Sequence, residues 1–148
     1  MTTLAVDTSV SVPYLMAAHE AHRLTRRHLG DRELVLTQHS LAETYSVLTR
    51  LPGDARLAPA DAVTLLDANF GAPALLDPDE AIALPAVLAP LGIAGGAVYD
   101  ALVALAARSS ELALATRDQR AAATYAALGV TVELVVDDAD DAEGSSSP

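Results

Sequence analysis

Four acidic residues, Asp7, Glu43, Asp100 and Asp118, stand where a carboxylate could do chemistry. Two of them follow short apolar runs. Thr3-Leu4-Ala5-Val6 ends at Asp7, and Leu112-Ala113-Leu114-Ala115 leads through Thr116 and Arg117 to Asp118. Both runs read as buried strands, and in an open parallel sheet the strand ends lie along one edge, where ligands and catalytic groups collect. Asp100 opens the apolar stretch Ala101 to Ala107, where an acid is expensive unless paired or metal-bound. Each acid also has an ordinary explanation. Ser40-x-x-Glu43 is a capping-box pattern, and for Glu43 taken alone capping is the better reading. Asp118 can be the cap of the helix after it, and Asp100 can answer a helix dipole.

The four together imply more than each alone. Carboxylates converging on one edge repel one another unless divalent cations occupy the site or some of them stay protonated. An all-oxygen site suits magnesium or manganese, which bind through few carboxylates and several waters. Such ions activate water and stabilise charge on a phosphate, which is the chemistry of phosphodiester hydrolysis. Zinc is disfavoured because the chain has no cysteine. His19, His22 and His28 lie among Arg23, Arg26 and Arg27, and this segment reads as a solvated arginine-bearing face rather than a histidine metal site. Asp138-x-Asp140 with Glu143 lacks the glycine of a calcium loop, and Gly95-Gly96 is not followed by the Lys-Ser/Thr ending of a nucleotide P-loop.

The elements that must position these acids alternate. Ser9-Val10-Ser11-Val12-Pro13 opens a helix with a serine cap, and the helical pattern runs with a break near Ala18 to Leu29-Gly30. Glu33 to Thr37 is a second strand, followed by a helix over 40–50 with Leu41, Tyr45 and Leu48 on one side. Leu57-Ala58-Pro59-Ala60-Asp61 starts the next helix, which runs to about Phe70-Gly71 and buries Val63, Leu65, Leu66 and Phe70. Pro73-Ala74-Leu75-Leu76 is a short third strand. Asp77-Pro78-Asp79-Glu80 supplies a cap, a first-turn proline and first-turn acids, so these acids are explained by helix initiation. After the helix that carries Asp100 come the Leu112–Ala115 strand, a helix from Gln119 to Leu128, and a last strand over 130–135. Strands alternating with helices predict a mainly parallel α/β sheet of four to five strands with helices on both faces.

At 148 residues the chain fits one domain. The expected division is a single domain over 1–136 and an acidic, disordered tail over 137–148. The absence of cysteine and of a basic, apolar leader at Met1–Asp7 fits a cytoplasmic protein. Ala81 to Val98 carries no charge and approaches the length of a spanning helix. Its two prolines and three glycines make a broken helix and loop the better reading, so no membrane partner is expected. The formal charge of −11 argues against nucleic acid at first sight. Of the 20 acids, however, five lie in the tail, which leaves 15 against 9 bases over 1–136. All nine bases are arginine, the residue best suited to forked contacts with phosphate.

Val6-Asp7-Thr8-Ser9, Ala42-Glu43-Thr44-Tyr45, Tyr99-Asp100-Ala101-Leu102 and Thr116-Arg117-Asp118 with Arg120 resemble the successive motifs of PIN-domain ribonucleases. Their order and spacing over about residues 3–136 are most similar to the toxin member of VapBC-type bacterial toxin–antitoxin pairs. The resemblance implies a PIN-like three-layer fold with the first and fourth strands adjacent at the sheet centre. It also implies endoribonuclease cleavage of RNA with magnesium or manganese. By the same resemblance Asp7 and Asp100 are the leading metal ligands, and Glu43 and Asp118 complete the site by ligation, through water or by orienting the nucleophile. Ser9 and Thr116 become supporting hydrogen-bond donors, and Arg117 or Arg120 meets RNA phosphate. A homodimer and a cognate antitoxin that blocks the acidic cleft are implied as partners.

Two other readings compete. In an α/β phosphomonoesterase or phosphotransferase Asp7 would be the nucleophile, but Asp7-Thr8-Ser9 lacks the second acid of the Asp-x-Asp start used by haloacid-dehalogenase-like enzymes. In a non-catalytic binding module the acids would hold a basic peptide without metal.

Overall fold

In the computed structural model, residues 2–136 are described. The expected acidic tail over 137–148 lies outside them. Four strands form one parallel sheet: β1 (Thr3–Val6), β2 (Glu33–Leu36), β3 (Leu114–Thr116) and β4 (Val132–Leu134), in the order β2-β1-β3-β4. Seven α-helices are described with them: α1 (Thr8–Leu15), α2 (His22–Leu29), α3 (Gln38–Arg50), α4 (Pro59–Asn69), α5 (Pro78–Leu88), α6 (Ala97–Ser109) and α7 (Gln119–Ala127).

Alternation along the strands divides the core in two, because successive side chains in a strand point to opposite faces. Leu4, Val6, Leu34, Leu36 and Ala115 face Val10, Leu29, Leu48 and Leu66 of α1 to α4. Ala5, Val35 and Leu114 face Leu88, Leu105 and Tyr125 of α5 to α7. The result is the expected three-layer α/β arrangement. The Leu114–Thr116 strand, fourth in the sequence reading, pairs directly with β1 at the centre of the sheet.

From β1 the chain crosses to β2 on one side and later returns to β3 on the other. The carboxyl ends of β1 and β3 therefore flank the point where strand order reverses, the usual ligand crevice of such sheets. Asp7 follows β1 and Asp118 follows β3 by two residues.

Several local expectations are corrected. Residues 73–76 do not form a strand; Ala74 makes one isolated parallel bridge with Thr37. Pro73 has no N–H to extend the ladder, and Leu75 is 59% exposed. The first helix begins at Thr8 with Asp7 rather than a serine in the cap position, and it ends at Leu15 before α2. Gly30 closes α2 at φ 61°, a conformation that costs glycine little. In α4, Ala62 and Leu66 are buried while Val63 is half exposed. Tyr45 of α3 is also largely out of the core. Pro85 lies inside α5, which gives way to a 3-10 turn over Ala89–Leu91, so the uncharged stretch is broken as expected. Among the described residues no helix is long and apolar enough to cross a membrane.

Candidate metal and nuclease site

Asp7, Glu43, Asp100 and Asp118 all line one open cavity of about 110 Å³, together with Ser9, His39, Tyr99 and Tyr125. Four separate elements deliver them. Asp7 is 5% exposed, and its Oδ1 accepts from the Ser9 hydroxyl at 2.5 Å. Its Oδ2 accepts from the Tyr125 hydroxyl at 2.8 Å. Burial outweighs these donors and raises the Asp7 pKa above the ordinary aspartate value, with the hydroxyls of Ser9, Thr116 and Tyr125 opposing the rise. With a hydroxyl donor on each oxygen, the Asp7 carboxylate is a weaker nucleophile, which weighs against the Asp7-nucleophile reading.

Ser9 and Thr116 do more than support Asp7. The Ser9 hydroxyl oxygen accepts from the Arg117 backbone N–H at 2.9 Å, and the Thr116 hydroxyl oxygen accepts from the Asp118 N–H at 3.1 Å. The two hydroxyls lie 3.3 Å apart. They tie the end of β3 to the start of α1 and so fix the spacing of Asp118 from Asp7.

Asp100 is placed in the first turn of α6 after the Gly95-Gly96 turn, where Gly95 has φ 60°. It is half-buried, and among the described residues its carboxylate has no hydrogen-bond partner. Its pKa is raised first by burial, then by the negative charge of Asp118; Arg120 opposes this, and Asp7 and Glu43 add to it. The arginine thus offsets part of the cluster's charge although neither Arg117 nor Arg120 lines the cavity.

The capping-box reading of Glu43 is overturned. Helix α3 begins at Gln38, and the Thr37 hydroxyl accepts from the Ser40 N–H at 3.3 Å, so the cap is three residues earlier than expected. Glu43 is left free of backbone duties, and its Oε2 accepts from His39 Nε2 at 3.1 Å. A buried pair of hydroxyls, Ser11 and Thr44 at 2.7 Å, locks α3 against α1 beside it.

Asp118 keeps its cap role while lining the cavity: its Oδ1 accepts from the N–H groups of Arg120 at 2.9 Å and Ala121 at 3.2 Å. Asp118→Ala is therefore expected to cost about 1 kcal/mol of stability in urea denaturation, and Asp118→Ser to restore most of it. If the charge also serves catalysis, both variants lose activity alike.

Several lining residues were missed in the sequence, among them Tyr99, Tyr125 and His39. Neither Tyr125, inside an alanine-rich helix, nor His39 carries a local sequence signal. The other histidines have structural duties: His19 Nδ1 accepts from the Ala21 N–H, and His22 Nδ1 bonds the Pro13 carbonyl.

The donor set fits magnesium or manganese in kind. Its four acids are all carboxylate, with His39 bonded to Glu43 beside them, and a cation would relieve their mutual repulsion. Among the described residues no three His, Asp or Glu side chains close up into a ligand set.

Comparison with known proteins follows the same line. A family profile described as PIN domain matches residues 4–127. The chain is 57% identical over 129 residues to ribonuclease VapC27 of Mycobacterium tuberculosis, covering 87% of this chain and 94% of that one. It is 44% identical over 133 residues to ribonuclease VapC40 of the same species, covering 89% and 98% respectively. Its fold matches a crystal structure of VapBC2 from Rickettsia felis bound to a promoter DNA fragment, with TM-score 0.63 at 13% identity, covering 90% and 98%.

Proposed function

Since the chain belongs to the PIN-domain family and to its VapC-type toxins, we propose that it is a magnesium- or manganese-dependent endoribonuclease. The observation that carries this reading is the convergence of four carboxylates from separate elements on one cavity at the carboxyl edge of a parallel sheet. Asp7 and Asp100 would hold the ion, with Glu43 and Asp118 acting directly or through water. When bound, the ion supplies Lewis acidity toward the phosphate and lowers the pKa of water.

The chain's own groups do the rest. Ser9 and Tyr125 fix both oxygens of Asp7, leaving each oxygen one lone pair for further use. His39 orients Glu43. Arg120, and Arg117 beside it, supply positive charge where an RNA phosphate would approach an otherwise acidic cleft.

As the toxin of a VapBC-type pair, the protein would be held inactive by an antitoxin covering the cleft, where an arginine can pair bidentately with a carboxylate. A homodimer is the assembly the family resemblance implies, and Leu75, Ile82 and Leu91, on α5 and at either end of it, are large apolar side chains left exposed.

The test is cleavage-site mapping on total cellular RNA with magnesium or manganese. The expected result is a small set of discrete cuts, lost with chelator and restored by excess metal. Cleavage that persists in chelator would remove the metal from the mechanism. Absence of any cut under every metal condition would leave the binding-module reading in its place.

A further inference from the structure

The chain has four tyrosines, one phenylalanine and no tryptophan. Tyr125 is buried on Asp7, and Tyr14 packs against Phe70 with Arg26 over its ring. Tyr99 is used differently. It is 59% exposed, next to Asp100 in the chain, and it lines the same cavity as the four acids. Its ring is not loose: His39 stacks on it with centroids 5.6 Å apart and planes 21° from parallel. His39 is in turn held by Glu43. The ring is thus held from the His39 side while the residue stays largely exposed where it lines the acidic cavity.

Resting on the endoribonuclease reading, we propose that Tyr99, backed by His39, is a stacking platform for an unpaired nucleobase beside the phosphate to be cut. Charge gives such a platform a purpose. With 15 acids against 9 arginines over 1–136, the surface gains less from counterion release than a basic nucleic-acid binder does, and an uncharged contact adds to what Arg117 and Arg120 supply. Stacking on an aromatic face is uncharged, tolerates any base and requires that the base be out of a duplex. A ring already ordered by His39 gives up little conformational freedom on binding. The substrate is therefore a single strand or loop, held by a base at Tyr99 while the neighbouring phosphate lies over the acids.

The test uses a single-stranded RNA spanning a mapped cut, with an abasic nucleotide placed at each position in turn, and compares wild type, Tyr99→Phe and Tyr99→Leu. Tyr99→Leu is expected to lower kcat/KM about tenfold, and Tyr99→Phe, which keeps the ring, to stay within about twofold. At one position beside the cut, the abasic nucleotide costs wild type about tenfold and costs Tyr99→Leu nothing further, the coupling that contact requires. Independent, additive losses would overturn the platform while leaving the ribonuclease intact. So would a Tyr99→Leu protein whose only change is a different oligomeric state, which would assign the ring to a protein interface. If wild type cuts none of these RNAs, the ribonuclease reading falls and the platform with it. Thermal melting of both variants checks the fold, which is expected to hold because the ring lies outside the core.

Discussion

Asp100→Asn is expected to lower RNA cleavage by more than roughly a hundredfold while making the metal-free protein harder to unfold. The first effect follows from position. Residues that only orient a metal ligand are worth about 10–100-fold, so removing a charge proposed to meet the ion directly should exceed that range. The second effect follows from the sign of the pKa shift. Burial and the charges of Asp118, Asp7 and Glu43 raise the Asp100 pKa above its ordinary 3.8. A raised carboxyl pKa means that the folded state prefers the protonated acid. Its contribution to stability is fully present below the unfolded value and is lost as pH rises through the folded value. At neutral pH, without metal, ionised Asp100 is a burden, and a neutral amide of the same shape relieves it. The gain should be small because the group is half open to water. It should appear as a rise in Tm of about 2–4 °C for each kcal/mol relieved in a chain of this size. Wild type should approach the variant as pH falls into the acid range. Added magnesium should reverse the order, since a ligand bound only by the folded state stabilises it. Thermal melts in chelator and in excess magnesium at two pH values read all of this. A variant that melts below wild type in chelator at pH 7 would mean that Asp100 is structural.

This opposition of activity and stability is the physical reason the acids were legible in the sequence. An aspartate at the start of an apolar helix, or at the end of a buried strand, is a local conflict, and such conflicts mark functional sites. Asp7 and Asp118 could be placed on one edge because parallel α/β geometry puts strand ends there. Local rules were less dependable where two hydroxyls competed. Thr37 and Ser40 are both acceptable caps, and only the position of β2 decides for Thr37, which frees Glu43 from the capping box. The short apolar run at 73–76 has the composition of a strand, but the sheet offers it only Thr37. Tyr125 and Asp7 are 118 residues apart in sequence, and Tyr99 and His39 sixty apart. Neither pairing has a local pattern, because each is created by packing α7 and α6 against the sheet and α3.

Tyr125→Phe isolates one such pairing and should cut activity by about 10–100-fold without loss of the fold, as expected for a group that acts through the proposed metal ligand Asp7. Phenylalanine fills the same place in the core, so packing around the 1%-exposed ring is kept and only the hydroxyl is lost. That hydroxyl is a dependable donor. Burial and the nearby carboxylates push its own pKa far above the usual tyrosine value, so it remains protonated throughout the working range. Without it, Asp7 Oδ2 is buried with one fewer donor, and a factor that lowers the Asp7 pKa disappears. The Asp7 pKa, already raised by burial, therefore rises further, and protons compete more strongly with metal for the carboxylate. Three readouts follow. The acid limb of the activity profile should move to higher pH, the metal concentration for half activity should increase, and raising both pH and metal should restore much of the lost rate. Asp7→Asn should show no such rescue, since no carboxylate remains to be freed. A purely structural tyrosine would change the melting temperature and leave the acid limb where it was. Wild-type activity in Tyr125→Phe with an unmoved acid limb would remove Tyr125 from the site.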